Sequence, residues 1–328
     1  MKILYAIQGT GNGHISRARE IIPVLQQYGE VNLLISGTQA DVKLTQPVRH
    51  QLHGFSFIFG KKGGVDHYAT WRQMNLPRLV RDMRSIPLKD YDLVLNDFEP
   101  VTAWACRLKG ITSVALSHQA SFFSPLVPKA TGAGWEKMIL KYYAPATRHI
   151  GFHFEPYDDF IHTPVIRKAI RELKITNAGH YTVYLPAMDE KHLLPLLHQF
   201  SDQQWHVFSK HSRQEYVSAN VWVRPVHHDQ FNASLASAAG LLTGGGFEGP
   251  SEALFLGKKL LVIPMKSQYE QHCNAFALEK MGFPVIWPGQ KKWEGIIRSW
   301  LAMPEGRCYN FPDETSVVID KLVSSFAR

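Results

Sequence analysis

Lys2-Ile3-Leu4-Tyr5-Ala6-Ile7-Gln8-Gly9-Thr10-Gly11-Asn12-Gly13-His14 decides the fold. An apolar run of one strand's length stops at a glycine-rich turn, and a helical pattern continues from about His14 to Tyr28. The apolar run is too short for the core of a signal peptide, so it reads as a buried first strand. Val31–Ser36, Tyr91–Asp97 and Thr112–Ser117 read as further strands, with a helix over Val101–Lys109 between the last two. Strands alternating with helices and glycine turns predict a mainly parallel sheet, wound on both faces. Pro23 lies inside the first helical stretch, where proline costs about 3 kcal/mol, and predicts a kink or a restart.

The alternation repeats in the second half: strands at Tyr181–Leu185, Trp205–Ser209, Val221–Val223, Gly240–Leu242 and Leu260–Pro264, with helices between them. An α/β protein of two doubly wound Rossmann-like domains follows: 1–163, a linker at 164–178, 179–310, and a C-terminal helical segment at 311–328 placed across the domain junction. The length of 328 residues agrees with two domains at about 150 residues each. Two such domains predict a cleft between the carboxyl ends of their sheets, where open α/β folds bind ligands.

Apolar residues make up 45% of the chain and charged residues 20%, which excludes disorder. Cys106, Cys273 and Cys308 are scattered and odd in number, which argues against a disulfide framework or zinc site and fits a reducing compartment. No stretch approaches the roughly 18–20 apolar residues of a membrane span. The expected place is the cytoplasm, at most peripheral to the inner face of the cell membrane. Net charge is +8, and residues 1–150 carry all of it, with 18 Lys and Arg against 10 Asp and Glu.

Thr243-Gly244-Gly245-Gly246 sits between a strand and a helix, where backbone N–H groups favour phosphate. It lacks the P-loop spacing. Ser251-Glu252 follows one helical turn on, then Ile263-Pro264, then Tyr269-Glu270-Gln271-His272-Cys273-Asn274 opening a helix. This ordered set resembles the nucleotide-sugar donor segment of GT-B glycosyltransferases, such as the glucuronosyl and plant enzymes and the peptidoglycan GlcNAc transferase. The resemblance extends over essentially the whole chain and is strongest to prokaryotic GT-B proteins. It implies that Gly244–Gly246 hold a diphosphate, Glu252 the ribose, and Glu270 with Gln271 the sugar hydroxyls. Val226 and His227 would offer main-chain contacts to the base, and Gly13, Thr243 and Arg167 are assigned to the donor with them. Arg167 closes Thr163-Pro164-Val165-Ile166-Arg167, which resembles an interdomain motif of the peptidoglycan enzyme. Thr243 stands near the place of a phosphate-binding His of the plant segment, and Arg224 near that of its base-stacking Trp.

Glycosyl transfer to a hydroxyl needs a base, and a histidine closing a glycine turn after the first strand suits the task. The GT-B resemblance implies the same role for His14, and the segment Leu93–Pro100 resembles the one whose Asp orients that base, here Asp97. Glu99 is the reserve orienter and an acceptor-side candidate. Asp90-Tyr91-Asp92 spells a metal-binding D-x-D but precedes its strand, so it reads as a turn. The expectation is an inverting reaction with no metal and no resident cofactor. The donor is a nucleotide-diphosphate sugar, read as a UDP-sugar.

Residues 61–89 carry seven basic residues against Asp66 and Asp82, interleaved with Trp71 and other apolar groups. Trp71, Arg78 and Arg81, together with His118, are assigned to the acceptor, and 132–143 adds an apolar wedge. The stretch fits either a solvated helix or a surface for anionic lipid headgroups. No nucleic-acid-binding motif is present, and the oligomeric state is not specified. Two rivals stay open: a non-hydrolysing sugar-nucleotide 2-epimerase, and a protein that binds a nucleotide sugar or lipid without chemistry.

Overall fold

The computed structural model describes residues 1–10, 12–37, 44, 46–54, 76–132 and 134–326, the side chains of 76, 134 and 135 excepted. These residues form two compact units. One comprises those up to Arg167 and those from Pro312 onward, the other Lys168–Phe311.

In chain order the first unit runs β1 (Lys2–Gln8), α1 (Asn12–Leu25), β2 (Glu30–Ser36), β3 (Val48–Leu52), α2 (Leu76–Ser85), β4 (Leu93–Asp97), α3 (Pro100–Lys109), β5 (Val114–Ser117), α4 (Gly134–Tyr142), β6 (Arg148–Phe152) and β7 (Ile161–His162). The strands form one parallel sheet in the order β3-β2-β1-β4-β5-β6-β7. Residues Ile3 to Ile7 are all fully buried, as a central strand covered on both faces requires. Winding turns outward in both directions from β1 and β4, so the carboxyl ends of these two strands form the switch point of the sheet. Asp92 and Lys2 meet at the opposite, amino end, where the Asp92 carboxylate accepts from Lys2 N at 2.7 Å. Asp90-Tyr91-Asp92 therefore lies at the far end of β4 from Asp97.

Pro23 does not restart α1, which is one continuous helix rather than two. The helix runs through it to Leu25 and ends there. Proline falls in the last turn, and burial of Ile15, Ala18, Ile21, Ile22 and Leu25 along one side anchors the helix. Strand β6 (Arg-His-Ile-Gly-Phe) was not legible in the sequence because a glycine interrupts it. A Cβ on Gly151 would stand 2.7 Å from Ser121 Cα, so the 3₁₀ segment Gln119–Phe123 packs there only over glycine.

The second unit runs α5 (Lys168–Arg171), β8 (Tyr181–Tyr184), α6 (Glu190–Leu197), β9 (Trp205–Ser209), β10 (Tyr216–Ser218), β11 (Val221–Pro225), α7 (His228–Ser237), β12 (Gly240–Gly244), α8 (Glu248–Phe255), β13 (Lys259–Ile263), α9 (Tyr269–Lys280) and α10 (Trp293–Leu301). Its sheet order is β10-β11-β9-β8-β12-β13, parallel except for the edge strand β10. Val183, Trp205, Val207, Val223, Leu242 and Leu261 build the core with Ile297 and Trp300 of α10. The switch point here lies between β8 and β12, where Tyr184 pairs with Thr243. A last helix, α11 (Thr315–Ser324), belongs to the first unit and packs on α1, with Tyr28 donating to Asp320 at 3.3 Å.

Candidate active site

The switch point of the first sheet carries the histidine and the aspartate. Gly9 leaves β1 by donating its N–H to Ser36 O at 2.6 Å, and a Cβ there would lie 2.8 Å from Ile35 Cγ2. The chain thus passes so close to β2 that only glycine fits. Helix α1 begins at Asn12, so His14 falls in its first turn, and Arg17 stands one turn further along the same side.

Asp97 ends β4 and is completely buried. Its Oδ1 lies 2.7 Å from His14 Nδ1 and accepts from Arg17 Nη2 at 2.7 Å. Its Oδ2 accepts from Arg17 Nε at 3.1 Å, Arg17 Nη2 at 3.0 Å and the Tyr5 hydroxyl at 3.4 Å. Burial alone would raise the Asp97 carboxyl, but the Arg17 and His14 charges and their hydrogen bonds outweigh it and hold it below its usual range. Burial, reinforced by the Asp97 charge, pushes the Tyr5 hydroxyl well above its own. With Asp97 ionised, His14 Nδ1–H is the donor, and Nε2 is the ring nitrogen that Asp97 does not engage.

The turn after Asp97 is stiff. Phe98 adopts a left-handed φ of 56°, a costly conformation for a bulky residue. Asn96 clamps it, donating from Nδ2 to Glu99 O at 2.7 Å and accepting from Glu99 N at 2.9 Å. The Phe98 ring lies parallel to the His14 imidazole with centroids 6.3 Å apart, and it touches Tyr143 at 4.9 Å.

Two acceptor-side assignments are corrected by burial. Glu99 neither orients His14 nor faces acceptor: it is fully buried and caps α3, accepting from Val101 N and Thr102 N at 2.7 Å each. His118 is also fully buried, with Nδ1 2.7 Å from Phe152 O and its ring against Phe122 and His153. It is a core histidine. Arg78 and Arg81 are exposed on α2, as a surface role requires, whereas Trp71 lies outside the described residues.

The second unit places the glycine turn at its own switch point. The Thr243 hydroxyl donates to Tyr184 O at 3.1 Å and is buried, so it ties β12 to β8 rather than facing a ligand. Gly245 N donates to Gln271 Oε1 at 3.2 Å, and Asn274 Nδ2 donates to Gly245 O at 3.0 Å. Gln271 Oε1 also accepts from Met265 N at 3.0 Å. The oxygen of Gln271 therefore holds the turn. A Cβ on Gly245 would stand 2.7 Å from Gln271 O, whereas one on Gly246 would meet nothing within 4 Å. Open space lies over Gly246, and the following Phe247, the N-cap of α8, makes no side-chain cap. This N-terminus suits an anion by its geometry and dipole.

Glu252 is buried one turn into α8, and Glu270 is half-buried in the first turn of α9. Val226 and His227 are exposed just past β11. Arg167 is the last residue of the first unit before α5, partly exposed, and Gly13 lies in α1 beside His14. Arg17 is the site residue that sequence reasoning missed. Its spacing of three from His14 was the available signal.

A family model described as Glycosyl transferase family 1 matches residues 1–302. No curated protein is a significant sequence match to the chain. Among solved structures, the spinosyn forosaminyltransferase SpnP is similar over 100% of both chains, at 14% identity and a TM-score of 0.62. LpCGTa, solved in complex with UDP, matches over 100% of this chain and 94% of its own, at 14% identity and a TM-score of 0.60. MurG of Acinetobacter baumannii matches over 98% and 94%, at 16% identity and a TM-score of 0.56. These likenesses show the fold, which is GT-B. By the family match over most of its length, the chain belongs to glycosyl transferase family 1 and is a glycosyltransferase.

Proposed function

We propose that the protein transfers a sugar from a UDP-sugar to a hydroxyl of an amphiphilic acceptor, inverting the anomeric centre without a metal or resident cofactor. The observation that carries this reading is the 2.7 Å contact between His14 Nδ1 and Asp97 Oδ1. In the reaction, the acceptor O–H proton passes to His14 Nε2. The acceptor oxygen bonds to the anomeric carbon from the face opposite the diphosphate, which gives inversion. The bond from that carbon to the phosphate oxygen breaks, and its electron pair leaves with UDP. Backbone N–H groups at Gly246 and the start of α8 would take up the charge of the leaving group, which supports a metal-free mechanism. Glu252 would hold the ribose, Glu270 and the Gln271 amide the sugar, and the main chain at Val226 and His227 the base, with Gly13 and Arg167 completing the donor contacts.

An apolar groove supports the acceptor class. It has a volume of about 410 Å³ between α2, α3 and α4, and Leu79, Met83, Trp104, Met138 and Tyr143 are among its walls. Leu108 and Met138 stand 71% and 58% exposed at its edge. Arg78, Arg81 and Arg84 on α2 and Lys137 and Lys141 on α4 are exposed on the same helices. Tyr143 links the groove to the site: Gln8 Nε2 donates to its hydroxyl at 3.0 Å, and its ring touches Phe98, which faces His14. An acceptor with a hydrocarbon part and an anionic head fits this combination. Among the described residues no helix is long and apolar enough to cross a membrane; the lipid contact in this reading is peripheral, at the cytoplasmic face.

The test is UDP release in a donor screen with pooled lipid and small-molecule acceptors. Near wild-type transfer by His14→Ala refutes the base. Consumption of UDP-GlcNAc with no acceptor would identify an epimerase, and donor-induced thermal shift with no turnover a binding protein. Flotation with anionic liposomes tests the membrane face, and the absence of salt-sensitive binding refutes it.

A further inference from the structure

We propose that Arg17 is a positioning residue for transfer: its guanidinium fork holds the Asp97 carboxylate so that His14 keeps Nδ1–H directed at Asp97 and Nε2 open as the base. The inference rests on the reading of His14 as that base.

The Asp97 carboxylate is surrounded by donors in an unequal way. His14 contributes one contact, to Oδ1, whereas Arg17 contributes three, one to Oδ1 and two to Oδ2. A planar fork on both oxygens fixes the plane of the carboxylate as well as its distance. The one imidazole contact, with the longer one from the Tyr5 hydroxyl, would fix it less firmly. Arg17 is itself 3% exposed, so its charge must be paired inside the protein, and Asp97 provides the pairing.

The clamp also separates the ionisation of Asp97 from the state of His14. A wholly buried carboxylate facing only a neutral imidazole has no cation to keep it ionised. With Arg17 present it stays an acceptor before, during and after proton transfer. Arg17 Nη2 also lies 3.2 Å from His14 Nδ1. Since a guanidinium has no acceptor, two donors there share Oδ1 between them. Arg17 therefore enforces Asp97 as the partner of Nδ1, and the tautomer of His14 with it. Neither a reactive group nor a substrate contact is required of Arg17.

The experiment compares Arg17→Lys, Arg17→Ala, His14→Ala and the His14→Ala/Arg17→Ala pair in steady-state transfer, with melting curves for each. Lysine keeps the charge and most of the volume but loses the fork. The expected kcat loss is about tenfold for lysine and about 100-fold for alanine, with both KM values held within about threefold. Added guanidinium ion should restore much of the alanine variant's kcat at sub-denaturing concentration. In the double variant, loss of Arg17 should slow transfer no further than His14→Ala alone, since a positioning residue has nothing left to position. A kcat for Arg17→Ala within threefold of wild type, or losses that multiply in the double variant, overturn the proposal while leaving His14 as base. If His14→Ala itself transfers at near the wild-type rate, the base reading fails and this role for Arg17 fails with it. Should Arg17→Ala not fold, the lysine variant decides: an unchanged kcat refutes the fork.

Discussion

Asp97→Asn is the most informative single change, because the replacement keeps the shape of the side chain and alters only which of its atoms accept. One of the two oxygens becomes an N–H₂ facing groups that already donate. Arg17 meets Oδ2 through Nε at 3.1 Å and Nη2 at 3.0 Å, and it cannot become an acceptor. His14 can, by moving its proton to Nε2. The amide oxygen should therefore stay with Arg17, and the amide nitrogen should turn toward His14 Nδ1. The imidazole then accepts at Nδ1 and carries its proton on Nε2, where the acceptor hydroxyl needs a base. By the analogous tautomer inversion in serine proteases, transfer should fall by about 10³–10⁴-fold. Stability should fall too, since the Arg17 charge loses its counterion in a buried site. Breaking such a pair costs roughly 3–5 kcal/mol. For a unit of this size that is a drop of roughly 6–20 °C in melting temperature. UDP release under saturating donor measures the first effect, and calorimetry the second. Transfer within tenfold of wild type, in a variant that melts where wild type does, would refute the whole electrostatic account of this centre.

Three other outcomes can be measured directly. His180 and His206 stack in the second unit at 3.8 Å and share Ser234; burial, then the neighbouring charges, lowers His206 to about 4. The unfolded chain binds these protons first, so stability should be fully present above about pH 6.5 and be lost as pH falls toward 4. Melting curves across that window check it, and His206→Phe should flatten the dependence. Lys258 is buried and donates to Thr176 O, Ala236 O and Ala238 O at 2.7–2.9 Å. Lys258→Met leaves those carbonyls without their cation and should cost about 3 kcal/mol by urea unfolding. Gly245→Ala should lower the melting temperature and raise the donor KM by about tenfold, as its Cβ meets Gln271 O, whereas Gly246→Ala should melt like wild type.

The parts of this site that the sequence made legible are those where backbone and chemistry coincide. A glycine turn after an apolar strand locates His14, and an acid at a strand's end locates Asp97, since parallel sheets present such positions together at the switch point. Gly244–Gly246 were legible for the same reason. Arg17 was not, because an arginine in the second turn of a helix reads as solvent-facing, and its partner lies 80 residues away. Glu99 misled in the opposite direction. As an acid beside Asp97 it resembled a catalytic group, but Pro100 after it marks a helix start, and its carboxylate caps that helix. His118 shows the same limit: a polar residue after a strand can turn into the core as readily as out of it. Gln271 shows that a side chain read as a ligand contact can also hold a turn through its oxygen, a role that only the fold reveals.

The charge surplus of the first half can now be divided by location. Arg17 is neutralised by Asp97, and Arg49 has Glu30 within 3.6 Å, so neither contributes to a field at the surface. The exposed Arg78, Arg81, Arg84, Lys137 and Lys141 stand on the helices that wall the apolar groove. In the proposed reading the diphosphate does not need them, since it is held in direct contact by backbone N–H groups and a helix dipole whose effect falls off within the first turn. The surplus should therefore act on the acceptor alone. Screening lengths shrink from about 10 Å at 0.1 M salt to about 3 Å at 1 M. Raising salt over that range should increase KM for an anionic lipid acceptor severalfold, while KM for the UDP-sugar changes little and a neutral acceptor is unaffected. Charge reversal at Arg78 and Arg81 should abolish the salt effect without altering donor KM. If salt weakens donor and acceptor equally, the exposed cations serve the nucleotide, and the assignment of the groove to an anionic acceptor is wrong.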